Sequence, residues 1–383
     1  MFDINYIRNK FSLCDELIYL NNAATGPLPD STVSAINEYL KQRQCSKINN
    51  WEWILGKKDR LRYLFGKIIN SQPDRVAILQ NTSQGINTIA SGLDWHEGDE
   101  ILIPEREFPA NVYPFLNLRE KGVKVKFLPK PEGGLTQEVL SKNITERTKM
   151  LSASFVDFIT GYRINLKEIG EICHNNDIIF FVDGIQGVGV IPVDVEEAKI
   201  DALACGGHKW LLCPQGVGFL YASERLQGII KQKFVGWTSV KDPEDFLNYN
   251  QKLTESARRY ELGSFNSAGI VGGVASLELL LEVGIDNIYN YVMALIDLIY
   301  DNFCREGLKL NSNMDRNVRS GIVSFYPHEK RKSELLISYL RKNNIEVSMR
   351  EGVIRVSPHF YNTIGEINKF LEVCKEFLKL EVT

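Results

Sequence analysis

The stretch that decides the fold begins with Ile178-Ile179-Phe180-Phe181-Val182-Asp183-Gly184-Ile185-Gln186 and, after a connector, resumes as Ala202-Leu203-Ala204-Cys205-Gly206-Gly207-His208-Lys209-Trp210. Its first half is an apolar run of β-branched and aromatic residues that ends in a carboxylate, which is typical of a buried parallel strand. Its second half is another short apolar run, and it ends in Gly-Gly-His-Lys. Asp183 and Lys209 are therefore predicted at the carboxyl ends of two strands of one sheet, where open α/β sheets bind ligands.

A lysine at that edge suggests a Schiff base, because a desolvated lysine loses its proton readily and becomes a nucleophilic amine. Pyridoxal 5'-phosphate requires such a lysine and an acidic partner for its pyridine nitrogen. Asp183 is the candidate partner, since a carboxylate there keeps the ring protonated and able to accept electrons. Gln186 is a candidate donor to the phenolic oxygen of the ring. Taken singly, a strand-end aspartate is usually a turn residue and a lone lysine is usually solvated.

The joint pattern resembles the aminotransferase class V family, which also holds cysteine desulfurases, kynureninases and isopenicillin-N-epimerase-like proteins. In that family Asp-x-x-Gln is followed by His-Lys, and this chain matches with Asp183, Gln186, His208 and Lys209. The resemblance covers nearly the whole chain. It implies an α/β protein of the pyridoxal-phosphate fold type I, with a mostly parallel central sheet in a large domain and a small α+β domain.

The length and the order of elements predict two domains. The chain has 383 residues, more than most single cores hold. Strands and helices alternate through the first part, which predicts a large cofactor-binding domain at 21–270. The remainder, 271–383, has the pattern of a small α+β domain, and we expect the N-terminal segment 1–20 to pack with it.

Composition argues against several functional classes. A net charge of -3 gives no reason to expect nucleic acid as a partner, and no apolar run approaches the span of a membrane. The N-terminus lacks the regions of a signal peptide, so the expected location is cytoplasmic. The seven cysteines are an odd number without a Cys-x-x-Cys pair, which favours reduced thiols over disulfides or a zinc site. The five histidines are scattered, and no metal site is expected.

A phosphate-binding turn is predicted after the strand Val76–Gln80. The next residues are Asn81-Thr82-Ser83, followed by an apolar helix, and the free N–H groups and dipole at a helix start favour an anion. A helix cap would explain one hydroxyl, whereas the resemblance implies that Thr82 and Ser83 both bind the cofactor phosphate. It implies the same for His208, which could otherwise only pack at its turn. Where the family commonly has a serine, this chain has Gly206.

The resemblance also assigns residues around the ring and the substrate. Phe108 matches the position that stacks on the pyridine, although an isolated phenylalanine is by default a core residue. Arg355 is flanked by apolar strand residues and would be costly to bury unpaired. Its guanidinium therefore either forms an internal ion pair with an Asp or Glu or, as in the family, binds the α-carboxylate of the substrate. Asn22 matches a segment near the substrate.

Ser264 raises the question of a second subunit. In the family the matching hydroxyl reaches the cofactor phosphate of the other subunit, which implies a homodimer with shared active sites. The alternative is that Ser264 caps the helix that begins near Ala268.

The reaction is less constrained than the cofactor. Desulfurases need a mobile thiol on the loop before the carboxylate-binding arginine, and residues 348–352 have none. Phe108 stands where desulfurases have a histidine, and a phenyl ring cannot relay protons. Cys205 and Cys213 are expected to be buried packing residues.

Transamination of an amino acid is the first expectation. Epimerisation and β-lyase or cysteine desulfurase-like chemistry are the alternatives, and in each of them Lys209 acts as the general base at the α-carbon. A non-catalytic binding or regulatory protein that keeps the fold is the alternative from another class. The joint presence of Lys209, Asp183 and Arg355 argues against that reading.

Overall fold

The structure, a computed structural model, describes residues 2–306, 308–327 and 329–380, excepting the side chains of 304–306 and 330. Its helices are α1 (Ile4–Arg8), α2 (Asp30–Cys45), α3 (Trp51–Ile68), α4 (Thr82–Gly92), α5 (Tyr113–Leu116), α6 (Gln137–Asn143), α7 (Leu166–Asn175), α8 (Glu224–Ile229), α9 (Ser267–Val283), α10 (Ile285–Glu306), α11 (Ser333–Lys342) and α12 (Ile364–Leu380). Its strands are β1 (Ile18–Tyr19), β2 (Val76–Leu79), β3 (Glu100–Pro104), β4 (Lys124–Leu128), β5 (Thr148–Ser154), β6 (Ile179–Asp183), β7 (Ala202–Gly206), β8 (Gly218–Ala222), β9 (Lys309–Leu310), β10 (Val323–Tyr326), β11 (Ile345–Glu346), β12 (Ser348–Arg350) and β13 (Val353–Val356).

A seven-stranded sheet in the order β2-β8-β7-β6-β5-β3-β4 forms the centre of the molecule. Strands β4, β3, β5, β6 and β7 are mutually parallel, and β8 runs antiparallel to both of its neighbours. The predicted α/β class with a mostly parallel sheet is therefore confirmed. Strand β6 ends at Asp183 and its neighbour β7 ends at Gly206, three residues before Lys209. The two predicted side chains thus lie at one edge of the sheet, as expected.

The continuous apolar run of β6 follows from burial on both faces of the sheet. Phe180 and Val182 belong to one hydrophobic core, while Ile179 and Phe181 belong to the core on the other side. Successive strand residues point to opposite faces, so a strand covered on both sides needs apolar residues at every position.

Both ends of the chain meet beside the central sheet. Strands β12, β13, β10 and β9 form an antiparallel sheet, and β1 pairs in parallel with β11. The sequence predicted one strand from Ile345 to Met349. The structure has two short strands there, because the chain leaves β1 at Val347 and pairs with β13 instead.

Helix α9 packs against α2 and α3 and extends past residue 271, where the sequence analysis placed a domain boundary. Its last residue is followed by Gly284 with φ 86°, which turns the chain into α10. Within the described ranges no single helix has the length and apolarity to cross a membrane. Helices α9 and α10 are long and apolar enough only when they are taken together, and their axes are bent by 76° relative to each other.

Candidate active site

A cavity of about 290 Å³ opens at the carboxyl edge of the central sheet. A larger groove of about 1010 Å³ lies elsewhere, and none of the predicted site residues lines it. All predicted site residues except Asn22 and Ser264 line the smaller cavity. They are Thr82, Ser83, Phe108, Asp183, Gln186, His208, Lys209 and Arg355.

The lysine and the aspartate have perturbed acidities. Burial, and then the positive charge of Arg355, lower the pKa of Lys209 to about 8, while Asp183 acts in the opposite direction. Burial raises the pKa of Asp183 to about 6. Two weaker effects lower this pKa: the N–H of Ile185 donates to Oδ1 at 3.1 Å, and Lys209 carries a positive charge. The Lys209 amine therefore loses its proton more readily than an ordinary lysine, and the unprotonated amine is the state that attacks a carbonyl carbon.

The start of α4 is where a phosphate cradle was predicted. Asn81 caps this helix by accepting a hydrogen bond from the N–H of Gln84 at 2.9 Å, so the hydroxyls of Thr82 and Ser83 are not used as caps. The Thr82 hydroxyl is buried and has no hydrogen-bond partner among the described residues. A buried hydroxyl without a partner is costly and indicates a polar group that binds there.

Gly206 faces the same cradle. A Cβ atom at this position would lie 3.2 Å from the Thr82 hydroxyl oxygen and 3.3 Å from Cε1 of His208. The position that holds a serine in the related family is thus oriented towards the cradle. This chain has no third hydroxyl there, and the neighbouring side chains already crowd the space that a Cβ atom would occupy.

The residues predicted to bind the cofactor ring line the same cavity as the lysine. The Phe108 side chain is 47% exposed, and its ring meets that of Phe158 edge-to-face with 5.4 Å between centroids. Gln186 is held at both ends of its amide: Nε2 donates to the Ala23 carbonyl at 3.0 Å, and Oε1 accepts from the Trp210 indole N–H at 3.1 Å. Its Nε2 carries a second hydrogen, which the predicted bond to a phenolic oxygen requires.

Arg355 is 1% exposed on β13, and its Nη1 donates to the Phe158 carbonyl at 2.8 Å. Its Nε is buried without a partner, and no described carboxylate lies within ion-pair distance of it. Asp157 is near enough to raise the pKa of Arg355, but it pairs with Lys130 at 2.5 Å. Burial, and then the charge of Arg350, lower the pKa of Arg355 to about 9. The internal ion pair is thus not found, and the guanidinium can take an external carboxylate.

Two predicted residues lie outside the lining of this cavity. The buried Asn22 donates from Nδ2 to the Ser357 carbonyl at 3.0 Å and accepts from the Tyr361 hydroxyl at 3.1 Å. This holds Ala23 and Ala24 against the cavity, and direct substrate contact by Asn22 stays a prediction. Ser264 is exposed and does not cap α9, because Asn266 does so by accepting from the N–H of Gly269.

The remaining sequence predictions concern packing residues. His359 is fully buried, and its Nε2 lies 3.1 Å from the Trp210 carbonyl oxygen, so it is a packing residue outside the cavity lining. Cys205 and Cys213 are buried, and burial raises the pKa of both thiols. The side chain of Cys304 lies outside the described residues. Among the described residues no cluster of His, Cys, Asp and Glu has the arrangement of a metal site.

Arg350 also lines the cavity, although it was not among the predicted site residues. A usable signal was present. Strands β12 and β13 are joined by the two-residue turn Glu351–Gly352, so Arg350 pairs with Val353 and lies on the same face as Arg355. Glu-Gly is a weaker turn signal than Asn-Gly or Asp-Gly, so the register of this hairpin is hard to predict from the sequence.

A family model, related sequences and solved structures all indicate the same family for this chain. The model of the aminotransferase class-V family matches residues 18–370. A probable cysteine desulfurase of Methanothermobacter thermautotrophicus is 29% identical, over 97% of this chain and 97% of its own length. The apo structure of a cysteine desulfurase from Thermococcus onnurineus superposes with a TM-score of 0.89 at 25% identity, covering 99% of each chain.

A third similar protein is the cystine C–S lyase C-DES. Its complex with the reaction product cysteine persulfide has a TM-score of 0.84 at 25% identity and covers 93% of this chain and 96% of that one. A C-DES variant with glycine covalently linked to the pyridoxal-phosphate cofactor has a TM-score of 0.87 at 24% identity, covering 95% and 98%. Both structures share the fold described above.

Proposed function

The chain belongs to the aminotransferase class-V family, and from that premise we propose that it transfers the amino group of an α-amino acid to a 2-oxo acid. It is a pyridoxal-phosphate enzyme of fold type I. The observation that carries the proposed reaction is the placement of two groups in one cavity: an amine with a lowered pKa at Lys209, and a buried arginine without a carboxylate partner at Arg355.

The residues present fit the cofactor. The buried, partnerless hydroxyl of Thr82 and the free N–H groups at the start of α4 would hold the phosphate, with Ser83 and His208 beside them. Asp183 would bind the pyridine nitrogen and Gln186 the phenolic oxygen. When bound, pyridoxal phosphate supplies an aldehyde carbon and a ring that accepts the electrons released at the α-carbon of the substrate.

The side chains of the cavity then divide the remaining work. Arg355 holds the α-carboxylate with the planar fork of its guanidinium, which fixes the orientation of the α-carbon. Lys209 would take the proton from the α-carbon and could return it, since a lysine with a lowered pKa both accepts and donates protons near neutral pH. Phe108 carries no ionisable group, so Lys209 has no competing base at that position.

A persulfide reaction on a protein thiol has little support here. No cysteine is among the residues that line the cavity, and residues 348–352 form the end of a tight hairpin. Burial keeps the thiols of Cys205 and Cys213 protonated by raising their pKa. A thiol that is buried and protonated is a poor nucleophile.

The second candidate is β-elimination without a protein thiol. It is favoured by the likeness to the cystine C–S lyase, whose complex contains cysteine persulfide as a product. Removal of the α-proton by Lys209 is common to both reactions. They differ in the step that follows, because elimination expels a group from the β-carbon and transamination places a proton on the cofactor carbon.

We also propose that a second copy of this chain completes the site. Residues 234–249 carry large apolar side chains on the surface, including Phe246 (68% exposed) and Tyr249 (86% exposed). An exposed apolar segment of this size marks a protein interface. Ser264 lies outside its own cavity, as a residue that serves the partner's cavity would. Light scattering is expected to give twice the mass of 43.6 kDa, and an active monomer would exclude the shared site.

The decisive experiment is a panel of amino acids mixed with the holoenzyme and 2-oxoglutarate or pyruvate, with products identified by mass. Transamination predicts a 2-oxo acid of unchanged carbon skeleton formed in step with a new amino acid. β-Elimination predicts pyruvate and ammonia from cysteine or cystine without any amino acceptor. If the purified protein binds no pyridoxal phosphate and borohydride fixes none to Lys209, both reactions are excluded.

A further inference from the structure

The β12–β13 hairpin holds two arginines on one face of the cavity. Residues on this face are Arg350, paired with Val353, and Arg355, paired with Ser348. Arg350 and Arg355 are therefore diagonal neighbours across the two strands, with backbones roughly 7–8 Å apart. Their long side chains can converge on a single small molecule.

The hairpin is a rigid support for these arginines. Its turn residues Glu351 and Gly352 both have positive φ, 49° and 77°, which matches the twist of a two-residue hairpin. The Ser333 hydroxyl donates to the Gly352 carbonyl at 3.0 Å and fastens the turn to α11. Because the backbone is fixed on both sides of Arg350, its guanidinium can move only by rotation about the bonds of its own side chain.

The cavity carries more positive than negative charge. Its lining holds three cationic side chains, Lys209, Arg350 and Arg355, and one carboxyl group, that of Asp183. The charge of Arg350 lowers the pKa of both Lys209 and Arg355, so it acts directly on the reacting end of the cavity. The cofactor phosphate does not balance it, because the phosphate cradle lies at the start of α4.

Arg350 has no acidic partner in the part of the chain that the structure describes. Its Nη1 donates at 2.8 Å to the carbonyl of the adjacent Met349, and no carboxylate lies within ion-pair distance. Arg341, in the same C-terminal region, differs in this respect, because it makes two bonds to Glu346 at 3.1 Å.

We propose that Arg350 selects α-amino acids whose side chain ends in a carboxylate, the chemical class of aspartate and glutamate. The proposal rests on the proposed function, in which the deeply buried Arg355 takes the α-carboxylate. A substrate held there directs its side chain towards the cavity mouth, where the exposed Arg350 can bind a second carboxylate. Two guanidiniums facing one small cavity match two carboxylates on one molecule.

The test compares isosteric substrates on the holoenzyme. Turnover and equilibrium binding are measured for L-aspartate against L-asparagine and for L-glutamate against L-glutamine. We expect the acid of at least one pair to be favoured roughly 10- to 100-fold in kcat/KM or in affinity, the effect of one hydrogen bond to a charged group. In Arg350→Gln this ratio should fall to near 1, and Arg350→Lys should retain part of it.

The matched control is Arg341→Gln, which removes an arginine of the same domain and should leave the acid-to-amide ratio unchanged. If the amides are used as well as the acids, or if Arg350→Gln weakens acids and amides equally, the proposal is wrong. Failure of the proposed function is a separate outcome. In that case no amino acid is turned over, while the binding measurements still show whether Arg350 discriminates acid from amide.

Discussion

The side-chain nitrogen of Lys209 lies 6.0 Å from the centre of the Phe108 ring. The phenyl ring can cover a flat cofactor but cannot accept or release a proton at neutral pH. Asp183, the one carboxyl group in the cavity lining, is assigned to the pyridine nitrogen. The proton movements at the α-carbon therefore fall to the Lys209 amine.

The first prediction concerns this amine. Lys209→Ala should lower kcat by roughly 10²–10⁴-fold, the usual contribution of a positioned general base, and should abolish fixation of the cofactor by borohydride. Steady-state kinetics and mass spectrometry of the reduced protein measure the two effects. Lys167→Ala is the control, since Lys167 is exposed and paired with Glu197. Retention of full turnover in Lys209→Ala would assign the base elsewhere.

The second prediction separates a binding arginine from a structural one. Arg355→Gln should lower kcat/KM roughly 10- to 100-fold, because a hydrogen bond from a charged donor to the substrate carboxylate is lost. The melting temperature of the apoprotein should stay equal or rise, since the buried cation has no carboxylate partner among the described residues. A large drop in melting temperature with unchanged kcat/KM would mean that Arg355 serves the fold instead.

The third prediction concerns the partnerless hydroxyl of the phosphate cradle. Thr82→Val removes the hydroxyl and keeps the shape, so the apoprotein should become slightly more stable while the Kd for pyridoxal phosphate rises roughly 10- to 100-fold, the effect of one hydrogen bond to a charged group. Calorimetric melting and cofactor titration give the two numbers. The control is Thr88→Val on the same helix, whose hydroxyl already donates to the Gln84 carbonyl at 2.9 Å. Equal cofactor affinity in Thr82→Val and the native protein would remove Thr82 from the phosphate site.

The fourth prediction links Asp183 to stability. In the native protein the Asp183 carboxyl has a pKa of about 6, whereas in the unfolded chain its pKa is the ordinary value of 3.8. The folded apoprotein therefore loses stability as the pH rises from 3.8 to about 6, because the unfolded chain releases this proton first. Asp183→Asn should therefore raise the free energy of unfolding at pH 7 by on the order of 1–3 kcal/mol. Turnover should fall sharply at the same time, because an amide cannot keep the ring nitrogen protonated.

Urea denaturation of both apoproteins from pH 4 to pH 7 measures the effect of Asp183. The stability advantage of Asp183→Asn should shrink towards pH 4, where the native carboxyl is neutral. An advantage that is independent of pH would show that the substitution acts through packing and not through charge.

Much of the fold and most of the site could be read from the sequence because local signals agreed with the tertiary structure. Helix α7, Leu166–Asn175, is predictable from local sequence, since Asn165 caps it and its apolar residues recur with helical period. The strand ends at Asp183 and near Lys209 were predictable because parallel strands share one active edge. The lining of the cavity by both residues follows from this.

Other features depend on contacts that are distant in sequence. The division of Ile345–Met349 into two strands follows from the choice between two partner strands, β1 and β13. Arg350 enters the site only through the hairpin register, and a Glu-Gly turn predicts that register weakly. The hydrogen bonds of Asn22 to Ser357 and Tyr361 join residues more than 330 positions apart, which no local pattern reports.

The meeting of the two chain ends has a consequence for biosynthesis. Ser357 donates its N–H to the Leu20 carbonyl at 2.8 Å and accepts at its hydroxyl from the N–H of Ala23 at 3.0 Å, so the wall at Ala23 and Ala24 is fixed by a residue translated near the end. A nascent chain translated only through β8 contains every strand of the central sheet but lacks this wall and Arg355. Capture of the cofactor in a closed site must therefore follow synthesis of Ser357, and a chain stalled before residue 345 should retain no pyridoxal phosphate.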